Sequence, residues 1–534
     1  MALFVWQILL CLFPWLLFLL LSVVLRWPVV CSWMEVAVRA AGWRLWMTMC
    51  LILQLPLDRN PQTGTKEARP PGTAFKTTGG PRFICKPTTL ARYLLRYCGS
   101  LARSRLASWP RGDPHLQTLC SLMCGPHEDT LQFTRDHLVL RDGGIVALDW
   151  AVGTRLGEGG GRRRSEGRGE KALGCFSSTP PVLLLIPQYW GGMSNHLKAL
   201  CLLALRQGFY VVVFHPRGTA GCPLTTTRLT EFGDPADLEQ AVVYVHSRHP
   251  SSALVAVSEG SGSGILLSYL GEKGSSSYLT AAAAISPVLL GQVWFEADMP
   301  PIYRWGALFQ RKQQLRRYET SFRSILDVDK ALSSPSLREF EETFFCAPPY
   351  VEGVSASCQG SHLAPSVAWA LGERAYPATD WDNYWDRNEP LRDADEVAVP
   401  VLCICSWDDP LLPPASTLPL PLFQSSPYFM LLMTERGGHC GFTVEDQQED
   451  RNWSHMVVLD YFKVVADFLK VEERDGGARG SLVGECNPPN NRSTTLTPPQ
   501  RRRAAMLRRA RLQTQNQNCV ETGEEFKWKR SYTG

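Results

Sequence analysis

Three short stretches of the chain carry residue types that could cooperate in nucleophilic catalysis. Asp409 lies in the sequence WDDPL, His439 lies in GGHCGF, and a Ser/Gly-rich stretch, AVSEGSGSG, runs from Ala256 to Gly264. A histidine that is oriented by a carboxylate can take the proton of a serine hydroxyl, which then attacks an acyl carbon. The three stretches follow one another in the order nucleophile, acid, base, which is typical of one large class of ester hydrolases.

The acid and the base are the clearer part of this pattern. Asp409 and His439 each follow directly on an apolar run that predicts a strand, and glycines flank the histidine. Asp409, which precedes a proline, fits the acid position better than Asp408 does. A loop histidine bonded to a loop carboxylate without any chemistry would show the same spacing, so the pattern alone leaves that alternative open.

The nucleophile position has two interpretations. A strained strand-to-helix turn needs small residues two positions before and after the nucleophile. In one register Ser258 occupies the central position, between Ala256 and Gly260; in the other Gly260 occupies it, between Ser258 and Gly262. Only the first register supplies an oxygen. Ser261 is a weaker candidate, because it would lie at the start of the following helix and point away from the base.

Alternating apolar and amphipathic runs predict the elements that position these residues. Strands are predicted at Val182–Ile186, Phe209–Phe214, Ala253–Val257, Leu279–Ile285, Val399–Ser406 and Tyr428–Thr434, and helices at His196–Arg206, Glu231–Arg248, Gly264–Leu270 and Trp453–Val471. A hairpin is predicted around Asp142-Gly143-Gly144. This alternation predicts an α/β fold, with a mostly parallel sheet covered by helices on both faces and an inserted helical cap.

The same reading divides the chain into segments. We predict a membrane anchor or signal segment at 1–25, a hydrophobic segment and linker at 26–81, the main α/β domain at 82–472 and a basic disordered tail at 473–534. A disordered insertion at 153–179 and a cap region at 294–395 are predicted within the α/β domain.

The two ends of the chain suggest partners. Ala2–Leu25 is apolar except for Gln7 and Ser22 and is long enough to cross a hydrocarbon core of about 30 Å. We therefore expect a retained membrane anchor and a location in the endoplasmic reticulum or secretory pathway, with secretion after signal cleavage as the alternative. The basic run Arg501–Arg511 could bind an anionic lipid or an acidic protein partner, although a solvated tail fits equally well.

Composition excludes several classes of protein. The formal net charge is +4, with 45% hydrophobic and 20% charged residues, which excludes a wholly disordered chain and argues against nucleic-acid binding by the bulk of the protein. The 17 cysteines show no repeated metal-binding spacing. No dinucleotide fingerprint or phosphate-binding loop is present, so we expect no cofactor and no metal.

Longer motifs carry a resemblance that extends from about Phe83 to Val471. They are PHLQTL at 114–119, DGG at 142–144, LDW at 148–150, FHPRG at 214–218, GDPADL at 233–238, YLGE at 269–272, DDP at 408–410 and GH at 438–439. On these motifs the chain resembles the α/β-hydrolase-domain family of membrane-associated lipid esterases. The resemblance implies the α/β-hydrolase fold, and a lipid or acyl ligand in a pocket under the cap.

The resemblance also bears on catalysis. Active members carry their serine nine residues before the tyrosine of the YLG motif, and the same count from Tyr269 reaches Gly260. Pro187 stands where active members have the histidine of H-G-x-x-G. The resemblance therefore implies a non-catalytic or weak regulator of lipid metabolism and lipolysis, with Asp409 and His439 retained. The alternatives are a serine hydrolase, a carboxylesterase or lipase, that acts on lipid esters through Ser258, and a scaffolding protein that works through its basic tail.

Overall fold

A computed structural model describes most of the chain. The described residues are residue 13 and residues 28–55, 81–102, 106–123, 131–153, 179–297, 299–323, 325–346, 372–445 and 452–480. Three predicted segments lie wholly or mostly outside these ranges. They are the N-terminal anchor except residue 13, the insertion except residues 153 and 179, and the C-terminal tail beyond residue 480.

The described ranges contain one nine-stranded sheet. Its strands are β1 (Arg82–Ile84), β2 (Leu131–Val139), β3 (Ile145–Gly153), β4 (Val182–Ile186), β5 (Tyr210–His215), β6 (Leu254–Glu259), β7 (Leu279–Ile285), β8 (Val401–Ser406) and β9 (Phe429–Thr434). Their order across the sheet is β1-β9-β8-β7-β6-β4-β5-β3-β2. The six strands from β4 to β9 pair in parallel, whereas β1 pairs antiparallel with β9, β3 with β5, and β2 with β3.

Helices connect and cover the strands. They are α1 (Pro28–Ile52), α2 (Thr89–Tyr97), α3 (Gly99–Ala102), α4 (Pro114–Met123), α5 (Asn195–Arg206), α6 (Ala236–Arg248), α7 (Ser263–Lys273), α8 (Gly291–Glu296), α9 (Pro301–Arg317), α10 (Glu319–Phe322), α11 (Val328–Ser333), α12 (Leu337–Phe345), α13 (Trp381–Asn388), α14 (Leu420–Ser425) and α15 (Trp453–Gly480).

The central strands are buried on both faces, as continuous apolar runs predict. Along β4, Leu183 and Leu185 join a core that includes residues of α2, α5 and α15, while Leu184 and Ile186 join a second core on the other face with α6 and α7. The predicted mostly parallel sheet with helices on both faces is therefore confirmed. The three-residue edge strand β1 was not predicted, because so short a run carries no readable periodicity.

The predicted hairpin and one helix boundary show how local chemistry sets the elements. Strands β2 and β3 form the hairpin, with Gly143 at φ +80° in the turn.

Helix α6 begins at Ala236 rather than at the predicted Glu231. A residue before a proline avoids helical backbone angles, and the Asp234 carboxylate accepts a hydrogen bond from the Ala236 N–H, so the helix begins after Pro235.

The segment between β7 and β8 forms a third core on top of the sheet. Helices α8 to α13 contribute to this core, which is rich in aromatic rings, among them Trp294, Phe295, Trp381, Tyr384 and Trp385. Their rings pack at centroid distances of 5.0–6.1 Å, mostly edge to face. We call this segment the cap.

We predict that Asp234, at the contact between the cap and α6, makes the stability of the fold depend on pH. Burial raises the pKa of this carboxyl, but Arg374 and Arg228 outweigh it and lower the pKa to about 2. The folded state therefore binds the proton less tightly than the unfolded state, so the stabilisation is present above pH 4 and is lost as the pH falls toward 2.

Asp234→Asn is expected to lower the free energy of unfolding at pH 7 by at least about 2 kcal/mol. The difference from the natural chain should shrink below pH 4. Denaturant titrations at pH 7 and at pH 3 would measure it, with Asp382→Asn on the exposed surface of α13 as the control. An equal loss at both pH values would contradict the assignment.

The helix nearest the N-terminus in the described ranges packs on the α/β domain. In α1, the ring of Trp43 contacts Trp109 with centroids 5.6 Å apart, and the Trp46 indole N–H donates to Asp113 Oδ2 at 3.0 Å. Helix α1 lies within the segment 26–81, where the sequence predicts a hydrophobic segment and linker, and it extends as far as Ile52. Among the described residues, no helix combines the length and the apolar character needed to cross a membrane.

Candidate active site

The structure brings Asp409 and His439 together. Asp409 follows β8 and His439 follows β9, so the two parallel strands deliver both side chains to the same edge of the sheet. His439 Nδ1 lies 2.9 Å from Asp409 Oδ2 and 3.2 Å from Oδ1. The Leu411 and Leu412 N–H groups donate to Oδ1. The carboxylate is thus fixed by backbone N–H groups and orients the imidazole, with Nδ1 toward Asp409 and Nε2 on the far side of the ring.

Asp408 contacts the backbone of the histidine loop. Its Oδ1 accepts a hydrogen bond from the Gly438 N–H at 2.9 Å, which ties the loop after β8 to the loop after β9. Burial raises the pKa of Asp408 to about 6.

The histidine loop is held by close packing and hydrogen bonds. Gly438 has φ +54°, and a Cβ there would lie 2.5 Å from the Pro114 carbonyl oxygen, so glycine is required on both counts. Thr118 Oγ1 accepts from the His439 N–H at 2.9 Å, and Ser406 Oγ donates to the Gly438 carbonyl at 2.8 Å. Thr118 belongs to the PHLQTL motif, which thereby positions the base.

Burial and the charge of Asp409 act in opposite directions on the pKa of this imidazole. Burial lowers the pKa of His439, since the side chain is only 4% exposed, but the negative charge of Asp409 outweighs burial and holds the pKa well above its usual value.

Gly260 faces Nε2 of His439. It opens a 3₁₀ turn, Gly260–Gly262, between β6 and α7 and has φ +51°, the conformation of a strained strand-to-helix turn. A Cβ built on Gly260 would lie 2.8 Å from His439 Nε2. At Gly262 a Cβ would lie 2.1 Å from the Pro187 carbonyl oxygen, so the turn passes against the loop after β4 as a nucleophile elbow does. The residue of this turn that faces His439 Nε2 is therefore a glycine.

The structure does not bring Ser258 to His439. Ser258 is an interior residue of β6, paired with Ile186 and Ala284, and is fully buried. Its Oγ has no hydrogen-bond partner among the described residues. No slip of the strand moves it to the turn, because its register is fixed by both neighbouring strands. Ser258 is a core residue in this structure.

Ser261 forms a hydrogen bond with the loop after β4. In hydrolases with this elbow, the oxyanion hole combines the N–H of the residue after the nucleophile with an N–H from the loop after an earlier strand. Here that residue is Ser261, and its Oγ accepts the hydrogen bond of the Tyr189 N–H, at 3.0 Å, from the loop after β4. One donor that could stabilise an acyl oxyanion is already bonded within the protein.

Tyr189 is itself held rigidly by the cap. Its hydroxyl donates to the Thr230 carbonyl at 3.0 Å and accepts from Arg311 Nη2 at 3.0 Å, and the Arg311 guanidinium lies 4.4 Å from its ring centroid. Arg311 pairs with Glu341 at 2.7 Å, and both are almost fully buried. No sequence pattern indicates these partners, because Arg311 and Glu341 lie on separate cap helices far from the candidate catalytic motifs.

An apolar pocket lies beside the acid. It encloses about 450 Å³ of space that is open to solvent, between the segment Pro287–Leu290 and the loop after β8. Asp409 lines it together with Leu412 and Leu418, but neither Gly260 nor His439 does.

A mostly parallel sheet with an Asp–His pair at the ends of β8 and β9 and a tight turn after β6 defines a member of the α/β-hydrolase class. The chain is 44% identical over 463 residues to protein ABHD15 of Homo sapiens, a match that covers 85% of this chain and 86% of that protein. It therefore belongs to the abhydrolase domain family, as the resemblance in the sequence predicts.

More distant relatives match a smaller share of the chain. The phospholipase ABHD3 of Mus musculus is 26% identical over 317 residues, 58% of this chain and 67% of that protein. The medium-chain fatty acid ethyl ester synthase/esterase 2 of Saccharomyces cerevisiae is 24% identical over 295 residues, 53% of this chain and 62% of that protein. No protein-family model matches.

Solved structures match at low similarity. An esterase of Pyrococcus furiosus aligns at TM-score 0.34 and 12% identity, covering 64% of this chain and 91% of its own. An acylaminoacyl peptidase aligns at TM-score 0.32 and 13% identity, covering 65% of this chain and 42% of its own, so the chain spans less than half of that peptidase.

Proposed function

We propose that this protein is a non-catalytic α/β-hydrolase-fold protein that regulates lipid metabolism by binding a lipid or acyl ligand. The observation that carries the proposal is the approach of Gly260 to His439 Nε2. An acid and a base are present, but the atom that should attack the acyl carbon is missing. Removal of a triad nucleophile leaves at most about 10³–10⁴-fold catalysis, which depends on the oxyanion hole and substrate binding.

The hydrogen bond between Ser261 and Tyr189, at the expected oxyanion hole, supports the same proposal. The hydrogen bond from the Tyr189 N–H to Ser261 competes with any oxyanion, and loss of one such donor costs about 10²–10³-fold in rate. Two independent requirements of the reaction are therefore unmet.

The ligand class rests on the relatives and on the pocket. The two more distant relatives are named as a phospholipase and as a fatty acid ethyl ester synthase and esterase, both of which act on acyl groups. The pocket beside Asp409 is lined by Leu412 and Leu418, and side chains of this kind contact the apolar part of an acyl group.

A fluorophosphonate probe tests the absence of a nucleophile. Such probes bond covalently to activated serines, so we expect no labelling of the folded full chain, whereas an active serine hydrolase in the same tube is labelled. Ser258→Ala and Ser261→Ala should leave the result unchanged. Labelling that disappears in Ser258→Ala would overturn the proposal and establish the serine hydrolase that uses Ser258, Asp409 and His439.

We further propose that the protein is associated with membranes of the endoplasmic reticulum or secretory pathway. Support comes from apolar side chains that α1 and α9 leave exposed: Val36, Val38, Leu45, Leu51, Ile52, Ile302, Trp305 and Phe309. The two helices are neighbours through the α4 region, because Trp46 bonds Asp113 and Tyr303 bonds His115.

Fractionation of cells that express the full chain tests this location. We expect the protein to remain in the membrane pellet after carbonate extraction, and a variant that lacks residues 1–25 to be released more readily. Complete release of the full chain would contradict membrane association.

A further inference from the structure

Behind the nucleophile position lies a buried group of three residues that the proposed function does not use. They are His196 on α5, Glu259 at the end of β6 and Cys440 directly after His439. Each is at most 3% exposed. One nitrogen, one oxygen and one sulfur of these side chains all lie within 4.8 Å of one another, and His196 Nδ1 lies 3.6 Å from Glu259 Oε1.

The imidazole of His196 has unmet hydrogen-bonding capacity. Neither of its ring nitrogens has a hydrogen-bond partner among the described residues. The ring of His455 packs against it with centroids 4.3 Å apart, and His455 Nε2 also lacks a partner there. Buried polar groups in folded proteins are almost always bonded, so three ring nitrogens without a partner on two adjacent imidazoles call for a partner that is not a protein atom.

The three kinds of ligand atom indicate that the missing partner is a metal ion. Imidazole nitrogen, thiolate sulfur and carboxylate oxygen are together the ligands that Zn²⁺ takes in proteins, and two ligand atoms bound to one tetrahedral ion at about 2.0–2.3 Å lie roughly 3.3–3.8 Å apart. The separation between His196 and Glu259 falls in that range.

A supporting contact orients the carboxylate. Ser194 Oγ lies 2.7 Å from Glu259 Oε2 and 2.9 Å from Oε1, and Ser194 is the N-cap of α5, the helix that carries His196. Outer contacts of this kind fix the ligands of metal sites in their binding orientation.

We propose that His196, Glu259 and Cys440 bind one Zn²⁺ ion. The ion would link the elbow to the histidine loop, because Glu259 directly precedes Gly260 and Cys440 directly follows His439. The ligands come from three separate segments, so no cysteine or histidine spacing in the sequence reveals them. The site goes beyond the proposed function and does not depend on it.

Zinc titration of the full chain tests the site. After removal of metals by a chelator and dialysis, we expect one tightly bound Zn²⁺ per chain in competition with a chromophoric chelator, and a rise in melting temperature with added Zn²⁺. His196→Gln and Cys440→Ser should each weaken binding by at least about 100-fold, since even loss of an outer contact costs 10–100-fold. Cys201→Ser removes an equally buried thiol from α5 and should change nothing.

Cobalt supplies a second readout, and its first result comes from the natural chain alone. Co²⁺ added to the metal-free natural chain should produce a thiolate-to-cobalt charge-transfer band in the near ultraviolet, and that band should be absent from Cys440→Ser. Absence of the band from the natural chain, or zinc binding that survives both ligand substitutions, would overturn the proposal and leave a neutral buried His–Glu pair. A band that Cys201→Ser removes would assign the metal to other thiols and overturn it equally.

Discussion

The double variant Gly260→Ser/Ser261→Ala is expected to hydrolyse an activated ester at least about 100-fold faster than the natural chain. The first substitution supplies a hydroxyl in front of His439 Nε2, and the second frees the Tyr189 N–H to bind an oxyanion. Knocking out the serine of a complete triad costs about 10⁶-fold in rate, so even a partial repair gives a measurable gain.

The single variant Gly260→Ser should gain much less. Ser261 would still bond to the Tyr189 N–H, and one oxyanion donor accounts for about 10²–10³-fold. The new Cβ would also lie only 2.8 Å from Nε2, so the imidazole must retreat by several tenths of an ångström before a Ser–His hydrogen bond can form.

Hydrolysis of p-nitrophenyl butyrate and fluorophosphonate labelling measure this gain. The control adds His439→Ala to the double variant and should abolish both signals, whereas addition of Ser258→Ala should leave them unchanged. Activity that persists without His439 would show that the new hydroxyl does not work through the triad. A folded double variant with neither turnover nor labelling would contradict the assignment of position 260.

Removal of Arg311 is expected to destabilise the fold by about 3–5 kcal/mol, since Glu341 would be left as an unpaired buried charge. Glu341 is fully buried, and Arg311 is 3% exposed and also contacts Tyr189. Arg311→Ala should therefore lower the melting temperature by roughly 5 °C. Scanning calorimetry and urea titration would measure the change.

Two comparisons test the cause. The double variant Arg311→Leu/Glu341→Leu removes both charges and should recover much of the loss, because apolar replacement of a whole buried pair is often nearly neutral. Arg323→Ala breaks the exposed pair with Glu319 and should leave the melting temperature unchanged. Equal losses in Arg311→Ala and in the double leucine variant would show that packing, rather than the unpaired charge, sets the effect.

Much of the scaffold could be predicted because the relevant signals are local. The run Val182–Ile186 is apolar at every position, and only a strand buried on both faces needs that pattern. Asp409 and His439 follow directly on such runs, so their common edge of the sheet follows from the parallel pairing of β8 with β9. The sequence predicts the start of helix α6 too early, at Glu231 rather than Ala236. A helix that begins after a proline depends on a single capping contact, which residue periodicity does not reveal.

The sequence by itself determined the parallel sheet, the order of the motifs and the candidate acid and base, since strand periodicity and residue type are properties of short stretches. Only the tertiary structure decided which residue faces the base: positions 258 and 260 lie on one strand and its turn, two residues or about 6.6 Å apart, and both registers satisfy the local rules. It also decided that Ser261 bonds to Tyr189 and that His196, Glu259 and Cys440 meet. These contacts join segments far apart in the chain, so their geometry depends on how the sheet, the cap and the loops pack together.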